Sequence, residues 1–194
     1  MKTSANIKSK ILKTATYLFY IQGYNSTGIN QIIDEAGIAK ASLYNHFKSK
    51  SELLHAYLEE IHISWFDELH AHIDKIDDPV GKILGIFDFR IERQKKNRFG
   101  GCPFIKASTE VLHDDEKTFE IVDRNKMKFR NLVLEILQNI SALNSPLSKE
   151  ELADTLYLLM EGATVTANFQ KSGAMIVNAK SIAEKIFTNN KPFN

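Results

Sequence analysis

The stretch Thr27–Phe47, TGINQIIDEAGIAKASLYNHF, decides the fold. The Thr27 hydroxyl is suited to cap a first helical turn. Ile29, Ile32, Ile33 and Ala36 recur at helical spacing and give an inward face. Gly37 falls where the chain must leave that helix, and only glycine takes left-handed backbone without a Cβ penalty. Ile38 turns back into the core, and a second short helix is expected over about 39–47. Leu43 and Phe47, four apart, share its inner side. Ala41, Ser42 and Asn45 then lie opposite, with Tyr44 and His46 on the flanks. Helix, glycine turn and second short helix form the helix-turn-helix pattern. Small residues let such a helix enter a major groove, and an amide or hydroxyl reads base edges there. The candidate DNA contacts are Thr27, Lys40, Ala41, Ser42, Tyr44, Asn45, His46 and Lys50. Ser42 and Asn45 are placed toward bases; Thr27, Lys40, Tyr44, His46 and Lys50 are placed toward phosphates. The bland alternative is a plain corner in an all-α protein.

Working outward, a first helix is expected over 4–22, with Ile7, Ile11, Leu12, Ala15, Leu18 and Phe19 as its stripe and Gly23 closing it. Ser49-Lys50-Ser51-Glu52 reads as a full capping box that opens a long fourth helix to about Lys75. Leu54, Leu58, Ile61, Trp65 and Leu69 give that helix its packing stripe.

This N-terminal segment resembles the DNA-binding domain of the tetracycline-repressor (TetR) family of bacterial regulators. The resemblance is carried by Ala15, Leu18, Phe19, Gly23, Tyr24, Thr27, Ile29, Ile32, Ala36, Gly37, Ile38, Lys40, Ser42, Leu43, Tyr44, His46, Phe47, Lys50, Leu53 and Leu54, with LYNHFKSKSELL its most recognisable run. It covers residues 7–58. Ala39 departs from it, standing where the family has a serine that caps the recognition helix. Losing such a cap costs about 0.5–2 kcal/mol.

Composition bounds the rest. The chain has 194 residues, 43% hydrophobic and 25% charged, as in an ordinary globular protein. No run approaches the ~18 apolar residues of a membrane span. The N-terminus lacks a signal peptide's apolar core. One cysteine, Cys102, excludes an intrachain disulfide and fits a reducing cytoplasm. With four prolines and no hairpin signal, the expected fold is all-α, about nine helices: a three-helix head and a helical-bundle body. Residues 1–50 hold seven lysines against Asp34 and Glu35, a charge of +5; the remainder, with 18 basic and 22 acidic residues, carries −4. A basic head on an acidic body suits contact with phosphate.

Further along, Asp78-Pro79 starts a fifth helix that ends near Asn97 with a basic last turn. Gly100 and Gly101 break the chain, and Pro103 opens a sixth helix to about His113. The segment GGCPF resembles one found at this place in a GCPF-type subgroup of TetR ligand-binding domains. A seventh helix is expected over 115–141, with Phe119, Val122, Phe129, Val133, Ile136 and Ile140 inward. Residues 143–147 read as a linker, and Ser148 to Glu151 as a capping box for an eighth helix to Ser172. Gly173 ends it, a ninth helix runs to Thr188, and 189–194 read as a frayed tail.

The family resemblance implies a head at 1–48 and an effector-binding, dimerising body at 49–194. It implies a cytoplasmic homodimer on double-stranded operator DNA, without cofactor or metal. A small effector in the body would move the fourth helix, which carries each head, so that the two recognition helices no longer fit successive grooves and a repressor leaves its palindromic site. The last two helices would pair with their mates, placing Leu156, Gly162, Ala163, Ala167, Ile182 and Ile186 in the interface. Effector candidates are Trp65, Phe66, Phe87, Arg90, Cys102, Phe104, Tyr157 and Glu161, each also readable as core. Cys102 precedes a helix N-terminus, with Lys95, Lys96, Arg98 and Lys106 close in sequence; it reads either as a reactive sensor or as an apolar filler.

No enzyme is expected. The chain has no HExxH, no phosphate loop and no nucleophile motif. Glu59–His62 and Glu110–His113 have the Glu-x-x-His spacing of di-iron bundles, but His62 lies off the packing stripe of its helix. His55, His62 and His70 share one side and read as a solvated flank, or as a metal-sensing or polar pocket wall. The alternative function is a helical-bundle enzyme or small-molecule carrier with a vestigial helix-turn-helix.

Overall fold

The computed structural model describes residues 2–141 and 145–188. Among them there are nine α-helices and no strand. They are α1 (Lys2–Gln22), α2 (Ile29–Ala36), α3 (Lys40–His46), α4 (Lys50–Ile73), α5 (Pro79–Lys96), α6 (Pro103–Glu110), α7 (Glu116–Gln138), α8 (Lys149–Gln170) and α9 (Ala174–Thr188). The all-α expectation holds. Residues 142–144, of which 143 and 144 belong to the expected linker, and the tail 189–194 lie outside the described residues.

The chain divides into two compact units. One takes the residues up to Ser64 together with Pro103–Asn125; the other takes Trp65–Cys102 and the residues from Lys126 onward. Two long helices, α4 and α7, therefore contribute to both units.

In the first unit α1 packs on α2 and α3 through Ile11, Ala15, Leu18, Phe19, Ile32 and Leu43, all buried. The seven-residue α3 is far too short to persist alone in water. Its buried anchors, Leu43 and Phe47, each contribute about 1.5–3 kcal/mol. Gly37 ends α2 at φ +55°, its amide reaching Asp34 O and that of Ile38 reaching Ile33 O. This Schellman arrangement lets α3 start three residues later, at Lys40.

Caps differ from expectation in two places. Thr27 does not cap α2: Gly28 is the N-cap, and no side chain satisfies that end. Thr27 is instead fully buried, with its hydroxyl donating to Gly23 O at 2.6 Å. At α4, Ser49 accepts from the Glu52 amide, but Glu52 reaches back to the Lys48 amide and not to that of Ser49. The box at Ser148–Glu151 is complete.

The second unit stacks α5 against α8 and α9 around Leu69, Ile83, Ile86, Phe87, Leu152, Leu156, Met160 and Ile176. Asp78 caps α5 through the Gly81 amide, as expected. Helix α8 ends at Lys171, which takes the left-handed turn assigned to Gly173. In the N-terminal half of α7 the inward face is rotated by one residue: Thr118, Ile121 and Asn125 are buried, while Phe119 and Val122 are half-buried. Polar Thr118 and Asn125 hide that face from hydrophobic periodicity. From Phe129 through Val133 to Ile136 the expected stripe stands.

Candidate nucleic-acid interface and buried ionic cluster

The outer face of α3 is built by its neighbours. Leu43 and Phe47 fix its rotation, which leaves Lys40, Ala41, Tyr44 and Asn45 exposed and Ser42 and His46 half-buried. The surface is therefore small and polar at the centre with longer side chains at its edges, as major-groove reading requires. Lys48, absent from the expected set, is also exposed; its Nζ lies 3.4 Å from Tyr44 O, beside the same face. Thr27 leaves this set, because a fully buried hydroxyl already bonded to Gly23 O presents nothing to a phosphate. Lys50 is half-buried, its ammonium 4.2 Å from the Tyr24 ring centroid. Burial pushes its pKa down, against the upward pull of Glu110. Its first partner is thus the head itself.

Behind this face, α6 is fastened to the α1–α2 connection. Lys106 donates to Tyr20 O at 2.7 Å, and Glu110 accepts the Asn25 amide at 2.8 Å. Gly23 has φ +93°, and a Cβ there would meet the Glu110 carboxylate at 2.8 Å. Phe19, Tyr24, Leu54, Tyr57, Pro103 and Ala107 line the small gap beside these two side chains.

Ser51, His55 and Asp115 also meet in this unit. They are the residue types of a nucleophilic triad, but Ser51 Oγ (3.4 Å) and Asp115 Oδ1 (3.2 Å) both address His55 Nε2. A proton relay needs one partner on each ring nitrogen. Asp115 instead caps α7, accepting from the Thr118 amide and hydroxyl. Burial pushes its pKa up, but those bonds and His55 outweigh burial and hold it below the ordinary aspartate value. The Glu-x-x-His pairs do not converge either: Glu59 pairs with Arg124, and Glu110 holds the Asn25 amide. His62 is not on a solvated flank; it is buried, with Nδ1 3.1 Å from Asn125 Nδ2. Among the described residues no group of three or more His, Cys, Asp or Glu side chains is placed to hold a metal ion.

The second unit contains a buried ionic cluster. Lys126 bonds Glu161 Oε2 and also donates to Cys102 Sγ at 3.3 Å. Burial pushes the Lys126 pKa down, but Cys102 and Glu161 outweigh burial and hold it above the usual lysine value. Arg90 lies over the rings of Trp65 (5.1 Å) and Phe129 (5.5 Å). Of the effector candidates, Trp65, Arg90, Cys102, Tyr157 and Glu161 thus fall on or beside one cluster. Phe66 and Phe87 are core residues of the same unit, and Phe104 is buried in the other. Lys126 and Phe129 were not among the candidates. A lysine inside an otherwise amphipathic helix reads as surface until its partner 35 residues on is known. The cation that meets the Cys102 thiol is Lys126, and Lys106 donates to Tyr20 O.

Three of the six residues placed in the dimer interface face inward. Leu156, Ala163 and Ala167 are buried in their own body's core. Gly162 and Ile182 are exposed and Ile186 is half-buried. The exposed apolar residues of α8 are instead Leu158, Val165 and Phe169, which with Gly162 step by four, three and four. On α9 Met175 and Val177 join Ile182.

Fold and face together define a helix-turn-helix DNA-binding protein. Residues 11–57 match the family model for bacterial regulatory proteins of the tetR family. The chain is 29% identical over 150 residues to an HTH-type transcriptional regulator in the lacX 3′ region of Lactococcus lactis, covering 76% of this chain and 74% of that one. It is 23% identical over 197 residues to the HTH-type transcriptional repressor NemR of Escherichia coli, covering 95% of each. Its fold matches the crystal structure of SCO4454, a TetR-family transcriptional regulator from Streptomyces coelicolor, at TM-score 0.86 and 22% identity over 95% of this chain and 96% of that one. The chain is a DNA-binding transcriptional regulator similar to those of the TetR family. Among the described residues no helix is long and apolar enough to cross a membrane.

Proposed function

We propose that this regulator is a repressor that holds a palindromic operator as a homodimer and is released by a small effector. The observation that carries the reading is the α3 face, held rigidly outward by Leu43 and Phe47. The functional division is a reading head at 1–48 and a sensing body at 49–194. TetR-family members bind operator DNA and small effectors and act as dimers. The exposed 4-3-4 seam of α8, with Ile182 on α9, supplies the apolar surface such a pairing requires.

The route from body to head runs through the chain itself. Cys102 sits in the ionic cluster, and the next residue, Pro103, opens α6. Helix α6 grips the head at Tyr20 and Asn25. An effector with unequal affinity for two body arrangements shifts α6 and so the head. Operator and effector must then oppose each other by the same factor. The GGCPF segment supports placing the body in the GCPF-type subgroup: Gly101 takes φ +84°, Cys102 is buried and Pro103 begins a helix. Electrophoretic mobility shift with DNA from upstream of the protein's own gene tests the reading; retention no better than with scrambled DNA would reject it.

A further inference from the structure

The ionic cluster holds two cations and one carboxylate. Arg90, Lys126 and Glu161 side chains are 7%, 11% and 13% exposed, and together they carry a formal charge of +1. Removing ions from water is costly unless each is paired and hydrogen-bonded. Lys126 is so paired, through Glu161 Oε2 and Cys102 Sγ. Arg90 is not. Its Nη2 stands 3.9 Å from Glu161 Oε1, beyond hydrogen-bond length. Arg90 Nε and Glu161 Oε1 are both buried, and neither has a hydrogen-bond partner. The guanidinium rests instead on Trp65 and Phe129, whose rings meet edge to face at 5.4 Å, with Tyr157 beyond Phe129 at 6.2 Å. A planar fork with an unmet donor is thus held against an aromatic wall, in a cluster one negative charge short.

We propose that this cluster is the recognition point for an organic monoanion: a carboxylate on a flat apolar body, its oxygens taken by Arg90 and its body by the Trp65–Phe129–Tyr157 wall. A carboxylate matches the guanidinium in plane and spacing, and the pairing is bidentate. It supplies the missing charge and satisfies Nε, while Glu161 remains with Lys126. The inference rests on reading the body as effector-binding, and it names the effector's chemistry.

The probes are phenylacetate and 3-phenylpropionate, with phenylacetamide and 3-phenylpropionamide as uncharged counterparts. Each is titrated calorimetrically into the full-length protein, and the thermal midpoint is recorded. The acids are expected to bind and raise the midpoint, and the amides to bind at least ~10-fold more weakly. Arg90→Met should cost the acids ~10-fold or more, with Arg90→Lys, which keeps charge but loses the fork, in between. Should Arg90→Met fail to fold, Arg90→Lys alone decides: affinity equal to the parent overturns the proposal. Amides binding as well as acids, or neither acid binding, overturns it too. So does an ultraviolet thiolate band from Cys102 at neutral pH, since the missing charge is then internal. None of these measurements involves DNA. Loss of specific DNA binding would reject the regulator reading and leave them standing.

Discussion

Asn45 carries the base-reading role in this account. It is exposed on α3 while its neighbours Leu43 and Phe47 are buried, so replacing it leaves the helix in place. Asn45→Ala is expected to cost about 1–3 kcal/mol and to relax specificity at one position per half-site. Fluorescence anisotropy with operator variants checks this, and equal weakening on every sequence would reject the role. Thr27 predicts the opposite pattern. Thr27→Val removes a buried hydroxyl that bonds Gly23 O and should cost about 1–3 kcal/mol of stability, read by chemical denaturation. Its affinity for DNA, measured where the protein is fully folded, should not change. Thr27 was readable in the sequence as important but not as buried, since a hydroxyl before a helix reads equally well as a cap. Arg90 and Glu161 were visible as polar residues in apolar runs, but Lys126 and Phe129 needed the three-dimensional meeting of α5, α7 and α8.

At the scale of elements, helix termini were the most legible features. Asp78 and Ser148 cap as expected because a cap depends only on local backbone. Helix α3 starts at Ala39 without a side-chain cap, so Ala39→Ser should raise stability by about 0.5–2 kcal/mol. A higher thermal midpoint with unchanged helical content checks this. The rotated face of α7 was not legible, because its inward residues Thr118 and Asn125 are polar and their partners lie some 60 residues away or in a turn. Asp115 at the head of α7 gives a pH dependence. Its carboxyl is more acidic folded than unfolded, so its stabilisation is present above the ordinary aspartate value and is lost as pH falls through the lowered one. Acid denaturation should therefore be shallower in Asp115→Asn below about pH 4. Parallel curves for the two proteins would show that the cap contributes nothing.

For the whole molecule, α8 and α9 were legible as apolar helices, but which of their residues face the core was legible only in part. A helix that is apolar nearly all round offers no polar side to set its rotation. Only the core formed with α5 shows that Leu156, Ala163 and Ala167 point inward and Leu158, Val165 and Phe169 outward. Phe169→Asp with Leu158→Asp should therefore give a monomer in sedimentation velocity while circular dichroism keeps its helical signal. A double variant that sediments as the parent protein does would remove the seam from the interface. Operator affinity should fall in that variant, since one short recognition helix holds a specific site weakly without a two-fold mate.

The most direct test of the central claim is competition binding of the intact protein to a labelled fragment from upstream of its own gene, with unlabelled specific or random DNA added at fixed salt. The account predicts that specific DNA competes at least ~10³-fold better than random DNA, and that Asn45→Ala narrows this ratio. Equal competition by both DNAs would contradict it.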